Sequence, residues 1–274
     1  MGAEEEHGDM ALALGDNERS EESFMDQLFD FANETKHDGP IIKRRSLCTR
    51  CRRPLSVCWC PYLPHERLEI KTSIYILQHP FEESRCLKTA PMLCNGLKEG
   101  TCHVYKGKRF PKHKFPELMR VLQAPNTLVL YPGPGAVDIS DIPKDVAYNL
   151  VLLDGTWAQA KGLYCQNHDI QLPKKVQINH QEKSKYVIRT QPTDGALSTL
   201  ESGAVAISVL ENRPEIVELL TRPLVALCDF QIQHGAVQHQ SREYKIENGL
   251  WSKELPKSVK KRLEKQKQEK ETYS

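Results

Sequence analysis

Apolar positions fall along this chain in short, nearly continuous runs of strand length, separated by stretches with a helical period. Leu150–Leu153 is one such run, and it ends on a carboxylate, Asp154, followed by Gly155, Thr156 and Trp157. Asn126–Tyr131 (NTLVLY) is a second. It stops at Pro132-Gly133-Pro134-Gly135, a tight loop whose bare backbone can approach a ligand. Leu68–Leu77 (LEIKTSIYIL) ends in a third, which runs into Gln78-His79-Pro80, and Tyr186–Arg189 predicts a further strand before the turn-rich Thr190–Gly195. Helical character falls on Glu82–Leu97, interrupted or kinked at Pro91, and on Trp157 to about Gln166. It returns over Ala196–Leu210, with Leu197, Leu200, Ala204 and Ile207 on one face, and over Glu215 to about His239 around a break at Pro223.

Strands that are near-continuous apolar runs, alternating with helices, predict an α/β fold: a mainly parallel sheet with helices on both faces. In such a sheet the loops after Gln78, Tyr131 and Asp154 gather at one rim, which is the default ligand crevice. No G-x-G-x-x-G follows the first strand and there is no Walker lysine motif, so a Rossmann dinucleotide site and a P-loop are not indicated.

The length of 274 residues allows one sizeable α/β domain plus appendages. The net charge of +2 hides an asymmetry: the start is acidic (Glu4, Glu5, Glu6, Asp9, Asp16, Glu18, Glu21, Glu22), whereas Lys257–Lys270 is mostly basic. Both ends lack the apolar content for a core, so residues 1–39 are expected to be disordered or marginally helical, as is the basic tail 255–274. The tail reads either as a solvated helix or as a phosphate-attracting arm. No apolar segment approaches the roughly 20 residues of a membrane span, and no signal-peptide pattern is present, so a soluble protein of the cytoplasm or nucleus is expected.

Nine cysteines in such a compartment do not indicate a disulfide framework. Cys48, Cys51, Cys58 and Cys60 form a C-x2-C followed after six residues by C-x-C. A C-x2-C knuckle lets two thiolates converge on a tetrahedral ion from one tight turn, and a second pair closes the shell. A zinc ion held by four sulfurs has no open position, so the site predicted for residues 40–67 is structural. A redox pair and four ordinary buried cysteines are the competing readings. Arg50, Arg52 and Arg53 would offset the thiolate charge and leave a basic surface. Cys86, Cys94, Cys102, Cys165 and Cys228 show no ligand spacing and read as small core or surface residues.

Asp154, Thr156 and Trp157 are the candidate catalytic residues. A strand that delivers an acid to the mouth of a following helix is where open α/β sheets build active sites. Thr156 stands three residues before Gln159, the spacing of a capping box, and capping alone would account for it. Ser198 and Glu201 share a helical face, but S-x-x-E is itself a capping box. Trp157 reads as an aromatic wall or as packing of helix on sheet, and His79 as a strand end bonded to backbone. Arg85, Lys88 and Arg189 are candidates for nucleic-acid phosphates.

The four-cysteine knuckle, Q-H-P, Y-P-G-P-G, D-G-T-W and a late S-x-x-E, in this order, resemble the DTW-domain family over roughly Cys48 to Gln240. The resemblance implies a SPOUT-like catalytic domain over 68–254, with a deep trefoil knot. It also implies transfer of the 3-amino-3-carboxypropyl group of S-adenosylmethionine to N3 of a uridine in tRNA, giving acp3U. Under it, Leu77, Tyr131, Pro132, Gly133, Gly135, Trp157, Ser198 and Glu201 would bind S-adenosylmethionine, and Asp154 would act as base or as substrate ligand. For tRNA, a positive track is expected from Arg44, Arg45, Arg50, Arg52, Arg53, Lys106, Lys108, Arg109, Lys112, Lys114 and the tail. The alternatives are a SPOUT-like RNA methyltransferase using the same donor and a non-enzymatic zinc-knuckle RNA-binding adaptor. Oligomeric state is open.

Overall fold

The computed structural model describes residues 46–144, 146–179, 182–252 and 254. The acidic N-terminus, Arg44, Arg45 and the basic tail lie outside the described residues. Arg45–Leu250 is one compact unit. Its strands are β1 (Ser73–Gln78), β2 (Cys102–Lys106), β3 (Thr127–Leu130), β4 (Val137–Asp138), β5 (Asn149–Asp154) and β6 (Lys174–Gln177). They form a single sheet in the order β2-β1-β5-β3-β6-β4, and every pairing between them is parallel. The helices are α1 (Ala90–Gly96), α2 (Pro116–Leu122), α3 (Trp157–Gln166), α4 (Thr199–Leu210), α5 (Glu215–Gln233) and α6 (Arg242–Glu247).

The apolar runs are continuous because both faces of the central strands are covered, and the period of two sorts their side chains. Ile74 and Ile76 of β1, Leu128 of β3 and Leu150 and Leu152 of β5 belong to one core, with Leu93 of α1, Leu200 and Ile207 of α4 and Leu220, Leu224 and Leu227 of α5. Leu77, Val129 and Val151 belong to the other, with Leu118, Met119 and Leu122 of α2, Leu163 of α3 and Ile170. Trp59, between the last two cysteines of the cluster, and Leu63 just beyond them join the first core, so that segment packs onto the body of the domain.

Close approach between layers is built on small residues. A Cβ at Gly203 of α4 would stand 2.6 Å from Leu93 Cδ2 and 3.0 Å from Leu152 Cδ1, so only glycine lets α4 lie against both α1 and β5.

Several expectations are corrected. Tyr186–Arg189 is not a strand but a run of turns, with Val187 and Ile188 packed on the core and no ladder partner. Its anchor is a carboxylate: Glu201 accepts from Ser184 Oγ (2.9 Å) and the Lys185 amide (2.6 Å). Glu82–Leu97 is not one helix. A short 3₁₀ turn over Pro80–Glu83 is followed by α1, and Pro91 sits in the first turn of α1, where its missing N–H costs nothing.

Pro223 does not break α5, which runs unbroken through it. Burial of Ile216, Leu220, Leu224 and Leu227 outweighs the lost backbone bond. Strands β2, β4 and β6 escaped the sequence reading. Their residues (CHVYK, VD, KKVQ) carry no continuous apolar run, because these strands lie at or next to the sheet edges.

Candidate active site

Strands β1, β5 and β3 are neighbours, so their C-terminal ends do gather at one rim. The β1–β5 register pairs Gln78 with Asp154. Both fall on the α4 side of the sheet by the period of two, and the Gln78 Nε2 amide donates to Asp154 Oδ2 at 2.7 Å. From the N-terminal turn of α4, Thr199 Oγ1 donates to Asp154 Oδ1 at 2.6 Å. The carboxylate is 6% exposed and has one neutral donor on each oxygen. A carboxylate offers about four acceptor positions, so it retains capacity for a ligand.

Gly155 follows Asp154 because the chain there has no room: a Cβ would lie 2.9 Å from Gln159 Cβ. Thr156 then caps α3 through a complete capping box, with Gln159 N donating to Thr156 Oγ1 (3.2 Å) and Thr156 N donating to Gln159 Oε1 (2.8 Å). The cap sets the direction in which α3 leaves the sheet and puts Trp157, 36% exposed, on the rim.

A cavity of about 140 Å³ opens at this rim. Among its lining residues are Asp154, Gly155, Thr156 and Trp157 from β5–α3, Tyr131 and Pro132 from β3, Ser198, Thr199 and Ser202 from α4 and the residue before it, Glu82 and Thr89 from the segment after β1, and Arg189 and Gln191 from the loop after β6. The loop carrying Arg189 is held by Glu201 and by backbone bonds from His239 to Val187 (2.7 Å) and from Arg242 to Gln191 (2.8 Å). Glu82 and Arg85 form an ion pair at 3.1 Å, with side chains 8% and 19% exposed. Beside it, burial pushes the Tyr186 phenol up to about 12, and its hydroxyl donates to the Leu87 carbonyl at 2.8 Å. The walls thus combine the aromatic rings of Trp157 and Tyr131 with side chains of both signs of charge, Glu82, Asp154 and Arg189.

Of the expected site residues, the structure brings Asp154, Thr156, Trp157, Tyr131, Pro132 and Ser198 to this one cavity. Leu77 is not among its lining: it is fully buried on the opposite face of the sheet, as its odd register position dictates. Gly133 and Gly135 do not line it either. They adopt positive φ (128° and 74°) in an exposed loop, so glycine there serves backbone conformation. Glu201 is buried, with Ser184, Lys185 and Ser198 as donors to its carboxylate, and it anchors the loop instead of facing the cavity.

Arg85 is engaged with Glu82, and Arg189 lines the cavity, so neither reads as an outer phosphate contact. His79 Nδ1 accepts from the Phe81 amide at 3.3 Å, and burial, followed by the Lys108 and Arg85 charges, holds its imidazole below the usual range. Gln78 and Thr199, which hold Asp154, went unrecognised as such. Thr199 carries no motif, and only its place beside the capping serine pointed to the start of a helix.

In the N-terminal segment of the unit, the sulfurs of Cys48, Cys51, Cys58 and Cys60 all lie within 4.8 Å of one another. Cys48 and Cys60 are 3.8 Å apart and Cys51 and Cys58 3.6 Å apart, close to the edge of about 3.8 Å of a tetrahedron with zinc–sulfur bonds of about 2.3 Å. Arg52, with φ 58°, makes the left-handed step that closes the turn. Backbone N–H groups of Cys51 and Arg50 hold the Cys48 thiol down to about 6, whereas burial raises those of Cys58 and Cys60.

Arg50 does not simply add basic surface: Nε donates to Asn95 Oδ1 at 2.9 Å and a terminal nitrogen to the Asn95 carbonyl at 2.7 Å, tying the cluster to α1. Arg53 Nε donates to the Val57 carbonyl at 3.1 Å. Among the other cysteines, the fold sets Cys94 of α1 and Cys102 of β2 face to face, with sulfurs 2.7 Å apart, a proximity no spacing announced.

Fold and site together define a parallel-sheet α/β protein with a cavity at the C-terminal strand ends and a four-cysteine cluster. The DTW domain matches residues 45–232, and the chain belongs to that family. It is 47% identical to tRNA-uridine aminocarboxypropyltransferase 2 of Drosophila melanogaster over 222 residues, covering 80% of this chain and 87% of the relative. It is 42% identical to the protein of the same name in Macaca fascicularis, over 92% of this chain and 83% of the relative. To tRNA-uridine aminocarboxypropyltransferase A of Arabidopsis thaliana it is 27% identical, over 81% and 89%. No solved structure matches the chain. Among the described residues no helix is long and apolar enough to cross a membrane.

Proposed function

We propose that this protein transfers the 3-amino-3-carboxypropyl group of S-adenosylmethionine to N3 of a uridine in tRNA, forming acp3U. The observation that carries this reading is the convergence of Asp154, Trp157, Tyr131 and Arg189 on one cavity in a member of the DTW family. The donor set fits such a ligand: two aromatic rings for an adenine or a sulfonium, a guanidinium for a carboxylate, and an acid with the Ser198, Thr199 and Ser202 hydroxyls for an amine or ribose. When bound, S-adenosylmethionine would supply a carbon chain activated toward attack by the positive sulfur, whose carbon–sulfur bond would break as the new nitrogen–carbon bond forms, releasing neutral methylthioadenosine.

The protein's part is placement and proton transfer. Selection of the aminocarboxypropyl carbon over the methyl requires that the amino-acid arm be turned toward the acceptor, a task for Arg189 and the α4 hydroxyls. Uridine N3 is a poor nucleophile until it loses its proton, and Asp154, oriented by Gln78 and Thr199, accepts it. Thr156 acts through Trp157, by capping the helix that carries the indole.

The same proposal takes the domain 68–254 as SPOUT-like and knotted, and residues 40–67 as a knuckle whose four thiolates hold a structural zinc ion. It places the protein in the cytoplasm or nucleus.

Donor labelled in its carboxyl group separates this reading from methylation: label enters tRNA only if the whole chain moves, whereas methyl-labelled donor marks it only in a methyltransferase. An RNA-binding adaptor would bind tRNA and give no heat on titration with S-adenosylmethionine. Asp154→Asn with bound donor and unchanged single-turnover transfer would remove Asp154 from the base role.

A further inference from the structure

Helix α3 carries a half-exposed feature that extends beyond the part serving the donor. Trp157, Lys161 and Tyr164 stand at i, i+4 and i+7, one stripe along the helix that begins at the cavity and leads away from it. The Tyr164 ring stacks on that of Tyr131, with centroids 4.2 Å apart and planes within 15°. Tyr131 itself lines the cavity, so aromatic surface continues from the cavity wall onto the outside of the helix. Cations accompany it: Lys175 of β6, on the α3 side of the sheet, stands over the Tyr164 ring at 5.9 Å while donating to the Pro134 carbonyl, and Lys161 shares the helical stripe. Of the basic residues expected to serve this role elsewhere, Lys106 pairs with Glu83.

We infer that the part of this stripe beyond the cavity, Lys161 and Tyr164 with Lys175, is the bed for the unpaired RNA nucleotides that flank the acceptor base. The inference rests on the proposed function and adds the path of the strand. Aromatic rings interleaved with lysines suit single-stranded RNA, whose bases stack on π faces while phosphates meet ammonium groups. The stripe is continuous with the cavity, so a base can enter it while its neighbours remain stacked outside.

The experiment measures binding and single-turnover modification of full-length tRNA by the intact protein, with S-adenosylmethionine affinity and thermal melting recorded in parallel. Lys161→Glu/Lys175→Glu should weaken tRNA binding at least about tenfold at low salt. It should also flatten the dependence of log affinity on log salt by about 1.4, two phosphate contacts at about 0.7 each. Donor affinity should be unchanged. Tyr164→Leu should lose at least about fivefold in tRNA affinity and Tyr164→Phe almost none, since only the ring is needed.

Wild-type protein that modifies tRNA while both the charge-reversal variant and Tyr164→Leu, still folded, bind it equally well overturns the stripe and leaves the proposed activity standing. Wild-type protein that binds neither donor nor tRNA overturns both.

Discussion

The cysteine cluster and the cavity are built on opposite plans. The cluster draws its four sulfurs from thirteen consecutive residues, and one left-handed step at Arg52 closes it. The cavity draws the partners of one carboxylate from positions 76 and 45 residues away, and its cationic wall from a loop with no regular structure. A short-range site is specified by spacing and can act as a staple. A long-range site exists only once the whole sheet is in register, and the proposed chemistry is assigned there. Damage to the cluster should therefore appear first as lost stability, and damage to the cavity as lost transfer from a folded protein.

The sharpest separation comes from Cys58→Ser. It should abolish stoichiometric zinc by metal analysis and lower Tm by at least about 6 °C, because a structural zinc site contributes several kcal/mol to folding. A variant that loses the metal but melts like the parent would break the comparison. Asp154→Ala is its counterpart: single-turnover transfer should fall by about 10²–10⁴-fold with Tm within about 2 °C of the parent. A large fall in Tm would turn the carboxylate into a structural residue.

Gly203→Ala tests the packing that joins the layers. With Leu93 and Leu152 in the way, it should cost about 1–3 kcal/mol by chemical denaturation. Thr199→Val removes one donor to Asp154 while nearly keeping its shape, and should reduce transfer about tenfold with little change in donor affinity. The smallest effect belongs to Thr156→Ala, which loses the α3 cap at about 1 kcal/mol, read in an equilibrium melt.

The same contrast governs what the chain made legible. The capping boxes at Thr156 and Ser198 and the three buried central strands stand where spacing and periodicity put them, because each depends on neighbours within a few residues. The edge strand at Cys102–Lys106 and the short Lys174–Gln177 were hidden, since a strand with fewer buried neighbours needs no apolar run. Tyr186–Arg189 misled for the converse reason: half-buried Val187 and Ile188 look like a strand but are held by the Glu201 carboxylate. Pro223 misled because helix propensity was judged without the burial that keeps α5 whole.

By itself, then, the order of residues determined the parallel α/β class, the four-cysteine cluster, the acid at the end of β5 and the cap that follows it. Each rests on periodicity or on contacts a few positions apart. Only the tertiary structure decided that Gln78 and Thr199 would grip that acid, that Leu77 would face away from the cavity and that Arg189 would face into it. Those outcomes follow from strand order, register and loop anchoring, which depend on contacts between residues tens of positions apart and leave no local periodicity to read.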